Sequence, residues 1–189
     1  MMNLRKISEH EYEELYSHMK RDFPGDHELA PFSSIKRNLD NKIYDGIFLT
    51  ENAADIGYAL ITAPDDLKFA LINYFAVYPQ YRSKGYGSEF LKNIISRYPE
   101  RVLVIEATDP SAAKNSALHD EAVRRVQFYE RAGFGVLPTE RAKIFGLDML
   151  IMASSSDGKL NTREIMHSLY MPSFGGSPER LKNIDVINA

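Results

Sequence analysis

The stretch from Leu71 to Ile105 constrains the fold of this chain most. An apolar run, Leu71 to Val77, breaks at Pro79 into a basic loop, Arg82-Ser83-Lys84-Gly85-Tyr86-Gly87-Ser88. The loop leads into a segment where Tyr86, Phe90, Leu91, Ile94, Ile95 and Tyr98 recur at helical spacing, which gives one broad apolar stripe. Val102-Leu103-Val104-Ile105 follows as a nearly continuous apolar strand, the pattern of burial on both faces. Strand, helix and strand in this order predict parallel pairing and an α/β architecture. The loop between the first strand and the helix collects free backbone N–H groups at a helix N-terminus. The partial positive charge there favours an anion, most often phosphate. Gly85 and Gly87 have no Cβ, so a phosphate can come close to the backbone, and Arg82 and Lys84 add positive charge.

At 189 residues the chain has the length of one domain with a terminal extension, and 44% hydrophobic content is enough for a substantial core. A formal net charge of -3 gives no basis for a nucleic-acid or membrane-surface role. The absence of cysteine excludes disulfides, cysteine-ligated metal and a cysteinyl acyl-enzyme. The N-terminus lacks the apolar run of a secretory signal, and no stretch approaches the ~20 apolar residues of a membrane span, so a cytoplasmic location is expected. His10, His18, His27, His119 and His167 are scattered without His-x-x-x-His spacing, and no metal site is expected. Neither a P-loop, with glycine before Gly-Lys-Ser/Thr, nor Gly-x-Gly-x-x-Gly is present, which argues against a dinucleotide oxidoreductase.

A short strand is expected at Leu4 to Ile7. A first helix then runs from the Ser8-Glu9-His10-Glu11 capping box to about Phe23, where Pro24-Gly25 stops it. A shorter helix begins at Pro31. Ile43–Thr50, Ile56–Thr62 and Phe69–Val77 read as an antiparallel meander of three strands. After Val102–Ile105, a polar connection from Thr108 to His119 leads to a helix carrying Ala122, Val123, Val126, Tyr129 and Ala132 on one face. Gly133 suits the left-handed position after it, with Phe134 packing back. Strands are expected at Phe134–Leu137 and Asp148–Ala153, a linker at Ser154–Gly158, a helix at Thr162–Tyr170, and a last helix around Glu179–Ile184.

Val77-Tyr78-Pro79 followed by Arg82, Gly85 and Gly87 resembles the acyl-CoA-binding motif of the GNAT (GCN5-related N-acetyltransferase) family. Tyr129-Glu130-Arg131-Ala132-Gly133-Phe134 resembles a second element of the same family. The resemblance covers residues 3 to 153. It implies the GNAT fold: a mixed central sheet with an antiparallel N-terminal meander and flanking helices, here with a C-terminal helical extension. Residues 1–153 would form the acyl-CoA-binding domain and 154–189 the extension. Two interior strands would splay apart, with the pantetheine arm in the gap.

The activity implied is direct transfer of an acetyl group from acetyl-CoA to a primary amine of a small molecule or peptide, with no metal. Arg82, Ser83, Lys84, Gly85, Tyr86, Gly87 and Ser88 would hold the phosphates. The backbone of Phe75, Ala76 and Val77 would align the pantetheine, with an N–H near Val77 facing the carbonyl oxygen, and Phe128 would pack on the cofactor. Tyr129 would protonate the leaving thiolate, a role that leaves plain core packing as the alternative for both aromatic rings. The acceptor amine has a pKa near ~10.4 and must lose a proton. Related chains often place a glutamate where this one has Asn73. Glu106, at the end of the buried strand, is the candidate base. Its alternatives are a solvated strand end, an ion pair with Arg124 or Arg125, or an ordered water chain. A second departure is Ala122, where the family often has asparagine. The competing reading is a non-catalytic acyl-CoA-binding sensor or interaction module, and transfer of a longer acyl group is a third. The resemblance places acceptor recognition in Pro24–Ser34 and the later strands, where Asp26 and Glu28 would attract a cationic amine. It also allows a homodimer.

Overall fold

The computed structural model describes residues 2–25, 27–155 and 161–189; Asp26 and residues 156–158 of the expected linker lie outside them. β1 (Met2–Lys6), β2 (Tyr44–Glu51), β3 (Ala54–Thr62) and β4 (Phe69–Val77) lie side by side as an antiparallel meander, and the interior side chains of β2 and β3 alternate between two covered faces. Between β1 and β2 run α1 (Tyr12–Asp22) and α2 (Phe32–Asp40). The crossover helix α3 (Tyr86–Arg97) returns the chain to β5 (Val102–Thr108), which pairs with β4 in parallel as expected from the apolar strand–helix–strand order. Helix α4 (Ser116–Arg131) follows, then β6 (Gly135–Val136), β7 (Thr139–Ile144), β8 (Leu147–Ala153), α5 (Thr162–Tyr170) and β9 (Ile184–Asn188). The strand order is β1-β2-β3-β4-β5-β8-β7-β9, with β6 on β8. This is a mixed α/β fold with a mostly antiparallel central sheet. No helix of the described residues is long and apolar enough to cross a membrane.

Two expectations change. The polar connection expected to reach His119 ends at Asn115, whose side chain accepts the Leu118 N–H at 2.9 Å and starts α4 at Ser116. The last helix expected at Glu179–Ile184 is a 3-10 segment, Pro178–Asn183, that delivers β9 to pair with β7. Strand β7 carries no apolar run to mark it in the sequence, since Thr139-Glu140-Arg141-Ala142-Lys143-Ile144 is mostly polar. Only Ala142 and Ile144 are buried, every second residue, and these pack inward. The β7–β8 hairpin turns on Phe145 and Gly146, with φ of 50° and 86°, the two positive values of a tight twisted turn.

The sheet separates two sets of core residues. On one face α3 and α4 bury Phe90, Leu91, Ile94 and Tyr129 against Ile72, Leu103, Ile105 and Ala107. On the other, α1 and α2 cover Tyr58, Tyr74 and Ala76, while α5 covers Leu71 and Val104. Because neighbouring strand residues point to opposite faces, Glu106 and Thr108 fall on the α5 side of β5, with Val104.

Candidate active site

The site begins at a bulge. Along β3–β4, Leu60 faces Tyr74 and Ile61 faces Ile72, so Asn73 is the extra residue. Its Oδ1 accepts both the Thr62 N–H at 3.0 Å and the Thr62 Oγ1 hydrogen at 2.7 Å, satisfying groups that the bulge would leave unpaired. At this residue β4 leaves β5: their pairing ends at Ile72 with Ile105, although β4 runs to Val77 and β5 to Thr108. The splay expected from the family resemblance is therefore present. The edge of β4 beyond Ile72 that faces β5 has no strand partner among the described residues. On its other edge β4 stays paired through Gly57 with Val77. A Cβ on Gly57 would lie 2.3 Å from the Ala76 carbonyl oxygen and 3.0 Å from Val77 Cα, so only glycine permits this approach.

The Arg82–Ser88 loop follows this strand. Ser83 (φ 61°) and Gly85 (φ 84°) adopt left-handed backbone, and Gly85 caps α3 with no side-chain bond to the first-turn N–H groups. Nothing lies within 4 Å of the space a Gly85 Cβ would fill. The basic side chains are partly committed. Arg82 donates through Nε to the Val77 carbonyl at 2.9 Å and through Nη2 to Asp22 at 2.7 Å, and Lys84 Nζ donates to the Gln80 carbonyl at 2.9 Å. Asp22 also accepts the Tyr58 hydroxyl at 3.1 Å, and its side chain is 3% exposed. Arg82 thus ties the end of β4 to α1 while remaining half exposed. The Tyr86 hydroxyl turns away to Glu51 at 2.6 Å.

Phe128 joins the parts on this face. Its ring lies 3.5 Å from the position of a Gly87 Cβ and 6.2 Å, stacked, from Phe75. Tyr129 packs 5.2 Å from Phe128 and 6.2 Å from Phe134. Burial raises the Tyr129 phenol above its ordinary value, and its hydroxyl has no hydrogen bond among the described residues.

Glu106 sits across the sheet, on the wall of a cavity of about 290 Å³. Both carboxylate oxygens accept the Tyr170 hydroxyl, at 2.8 and 3.0 Å. No arginine reaches it among the described residues, which removes the ion-pair alternative. Burial pushes the Glu106 carboxyl up to about 7, and the Tyr170 bond holds it from rising further. Tyr44, Tyr74 and Tyr170 surround it and are themselves raised, chiefly by burial, so all three stay protonated donors at neutral pH. The cavity is also lined by Phe23, His27–Pro31 and Ser34 of the α1–α2 connection, and by Ile144–Phe145, Leu147 and Met149 of the β7–β8 hairpin. These are the segments expected to select the acceptor. Tyr74 fixes the first of them: its hydroxyl accepts the Ala30 N–H at 3.1 Å.

Tyr129 and Glu106 therefore lie on opposite faces of the sheet where β4 and β5 diverge. Such an arrangement can bring two reactants together from opposite sides, a proton acceptor on one and a phenol on the other. Sequence reasoning missed Tyr170, Tyr74, Asp22 and Gly57. The first three have partners 64, 44 and 60 residues away in the chain, and no local pattern marks them.

Residues 44–136 match the acetyltransferase (GNAT) domain family. Over that stretch the chain is similar to a GNAT acetyltransferase domain. The fold is shared with a GNAT-family acetyltransferase of Bacteroides thetaiotaomicron, at TM-score 0.71 and 19% identity, covering 92% of this chain and 98% of that one. It is shared also with the ribosomal-protein-S18-alanine N-acetyltransferase of Escherichia coli, at TM-score 0.56 and 22% identity, with coverage of 85% and 99%. A Salmonella typhimurium acetyltransferase, YncA, solved with its cofactor acetyl-CoA, aligns at TM-score 0.58 and 14% identity over 86% and 99%. No curated protein sequence matches the chain.

Proposed function

We propose that this protein transfers an acetyl group from acetyl-CoA to the primary amine of a small molecule that occupies the Glu106 cavity. The observation that carries this reading is the splay of β4 from β5, with an uncapped helix N-terminus and Tyr129 on one side and a carboxylate-lined cavity on the other. The residues fit the donor. The first-turn N–H groups of α3 and the open space above Gly85 suit a pyrophosphate, with Ser83, Lys84, Tyr86, Gly87 and Ser88 around it. The free edge of β4 at Phe75, Ala76 and Val77 offers N–H and C=O groups in extended geometry, which suits the amides of a pantetheine arm as it would an added strand. Bound there, acetyl-CoA supplies an activated acetyl thioester.

Each protein group then has one task. Glu106, with a carboxyl near 7, accepts the proton that the attacking amine gives up. A β4 N–H near Val77 donates to the carbonyl oxygen as charge develops there. The Tyr129 phenol gives a proton to the departing sulfur. The cavity holds the amine in register, which lowers the entropic cost of bringing two reactants together. A volume of about 290 Å³ is that of a small-molecule site and favours a small amine over a peptide. Residues 154–189 act in this reading as an extension that completes the cavity, since Tyr170, Ser173, Phe174 and Arg180 all line it.

Calorimetric titration with acetyl-CoA tests the donor half, beside a Gly85→Glu variant that puts bulk and negative charge at the α3 N-terminus. Binding to the parent and not to the variant supports the reading. No binding at millimolar acetyl-CoA (~-4 kcal/mol) sinks it. Binding without turnover of any amine in a library leaves a non-catalytic acyl-CoA sensor.

A further inference from the structure

We propose that the acceptor amine carries an anionic group, a carboxylate or a phosphate, and that Arg37 and Arg180 recognise it at the Ser173–Phe174 turn of the cavity. This rests on reading the Glu106 cavity as the acceptor site. The two guanidinium groups come from distant parts of the chain and meet the same turn. Arg37, on α2, donates through Nη2 to the Ser173 carbonyl at 2.7 Å, and through Nε and Nη2 to the Asn38 Oδ1 at 3.3 and 3.2 Å. Arg180, in the Pro178–Asn183 segment, lies 5.0 Å over the Phe174 ring. Both line the cavity, and among the described residues neither has a carboxylate partner.

Arginines that serve only solubility lie on open surface or pair with nearby acids, as Arg125 of this same cavity pairs with Glu121 at 3.1 Å. Arg37 instead is braced by neutral oxygens. Those bonds fix its direction and leave its charge uncompensated, with Nη1 free of partners among the described residues. The planar guanidinium is the group best suited to a carboxylate or phosphate. A second observation points to a polar ligand at the same place. Ser173 Oγ is buried, in a residue 6% exposed, and its contact with the Tyr44 hydroxyl falls short of full hydrogen-bond geometry. A buried hydroxyl so weakly paired is costly, and an anion held between the arginines would satisfy it.

The opposite pole is Glu106. Contacts lead from it to the arginines: Tyr170 hydroxyl on the carboxylate at 2.8 Å, Tyr170 stacked on Phe174 at 5.6 Å, and Arg180 over Phe174 at 5.0 Å. Glu28, the other carboxylate on the wall, turns to the Gly25 N–H at 3.1 Å. The cavity is thus bipolar, with a proton acceptor at one end and two unpaired cations at the other. An acceptor with an amine at one end and an anion several bonds away matches both.

The test titrates full-length protein, with and without acetyl-CoA, using aminoalkyl carboxylates and aminoalkyl phosphates of graded length. Each is matched by its carboxamide or alcohol counterpart. At least one anionic compound should bind about ten-fold or more tighter than its neutral partner. Whether carboxylates or phosphates show the larger contrast identifies the anion. In Arg180→Gln the contrast should shrink towards one, with the thermal unfolding midpoint kept. Arg37→Gln should act likewise, with circular dichroism and unfolding reporting whether loss of its Ser173 bond disturbs the fold. Equal binding within every pair, no binding by any anionic amine, or a contrast that survives in Arg180→Gln would overturn the proposal. Failure of acetyl-CoA to bind would defeat the acetyl-transfer reading alone, because the paired titrations report on the anion site without it.

Discussion

Replacing Glu106 by glutamine separates the ionisation of this carboxyl from its packing, since the amide keeps an oxygen for the Tyr170 hydroxyl. Burial raises the carboxyl from its ordinary 4.5 to about 7. Below pH ~4.5 the group is protonated in both folded and unfolded chains and its burial carries no ionisation penalty. Between pH ~4.5 and ~7 the unfolded chain releases its proton while the folded one keeps it, so stability falls as pH rises. Above pH ~7 the loss is complete. At ~1.36 kcal/mol per pH unit it amounts to about 3 kcal/mol, lost progressively between pH ~4.5 and ~7. Glu106→Gln should therefore be more stable than the parent at pH 8.5, relative to pH 4, by about 3 kcal/mol. Urea unfolding at a series of pH values measures this. The same variant should lose about 10²- to 10⁴-fold in turnover, and the limb near pH 7 should vanish from its kcat/KM profile. Tyr170→Phe should move that limb upward, because the Tyr170 bond holds the Glu106 value down. Parallel stability-against-pH curves for parent and Glu106→Gln would refute the reasoning, because they would show a carboxyl ionising as it does in water.

Tyr129→Phe should reduce turnover by about 10²-fold while leaving the unfolding midpoint nearly unchanged, since its hydroxyl holds no hydrogen bond among the described residues; single-turnover kinetics and a thermal melt together decide it. Gly57→Ala should destabilise by about 1–3 kcal/mol and weaken acetyl-CoA binding, because its Cβ must displace the Ala76–Val77 backbone; unchanged calorimetric affinity would contradict this. Arg82→Met should cost about 1–2 kcal/mol in urea unfolding, since it frees the Val77 carbonyl and removes one partner of the buried Asp22 carboxylate; a change below ~0.3 kcal/mol would show the bonds to be solvent-equivalent.

What the sequence determined by itself is local or periodic. The apolar run at Val102–Ile105, the stripe from Tyr86 to Tyr98 and the glycines of the Arg82–Ser88 loop state the parallel β4–β5 pair, its crossover helix and the helix start at Gly85, because each depends on neighbours a few residues away. The resemblance to the GNAT family rests on the same residues. Only the tertiary structure decided which faces the candidates occupy. Asn73 reads in the chain as a missing carboxylate; in the fold it fills the bulge that pulls β4 from β5. Glu106 reads as a strand-end acid open to solvent or to an arginine; in the fold a tyrosine 64 positions later closes over it and burial lifts its proton affinity. Arg37 and Arg180 carry no pattern at all until one turn gathers them. Proton affinity and charge recognition depend on what surrounds a group in space, and for these residues the surroundings come from segments that chain order leaves far apart.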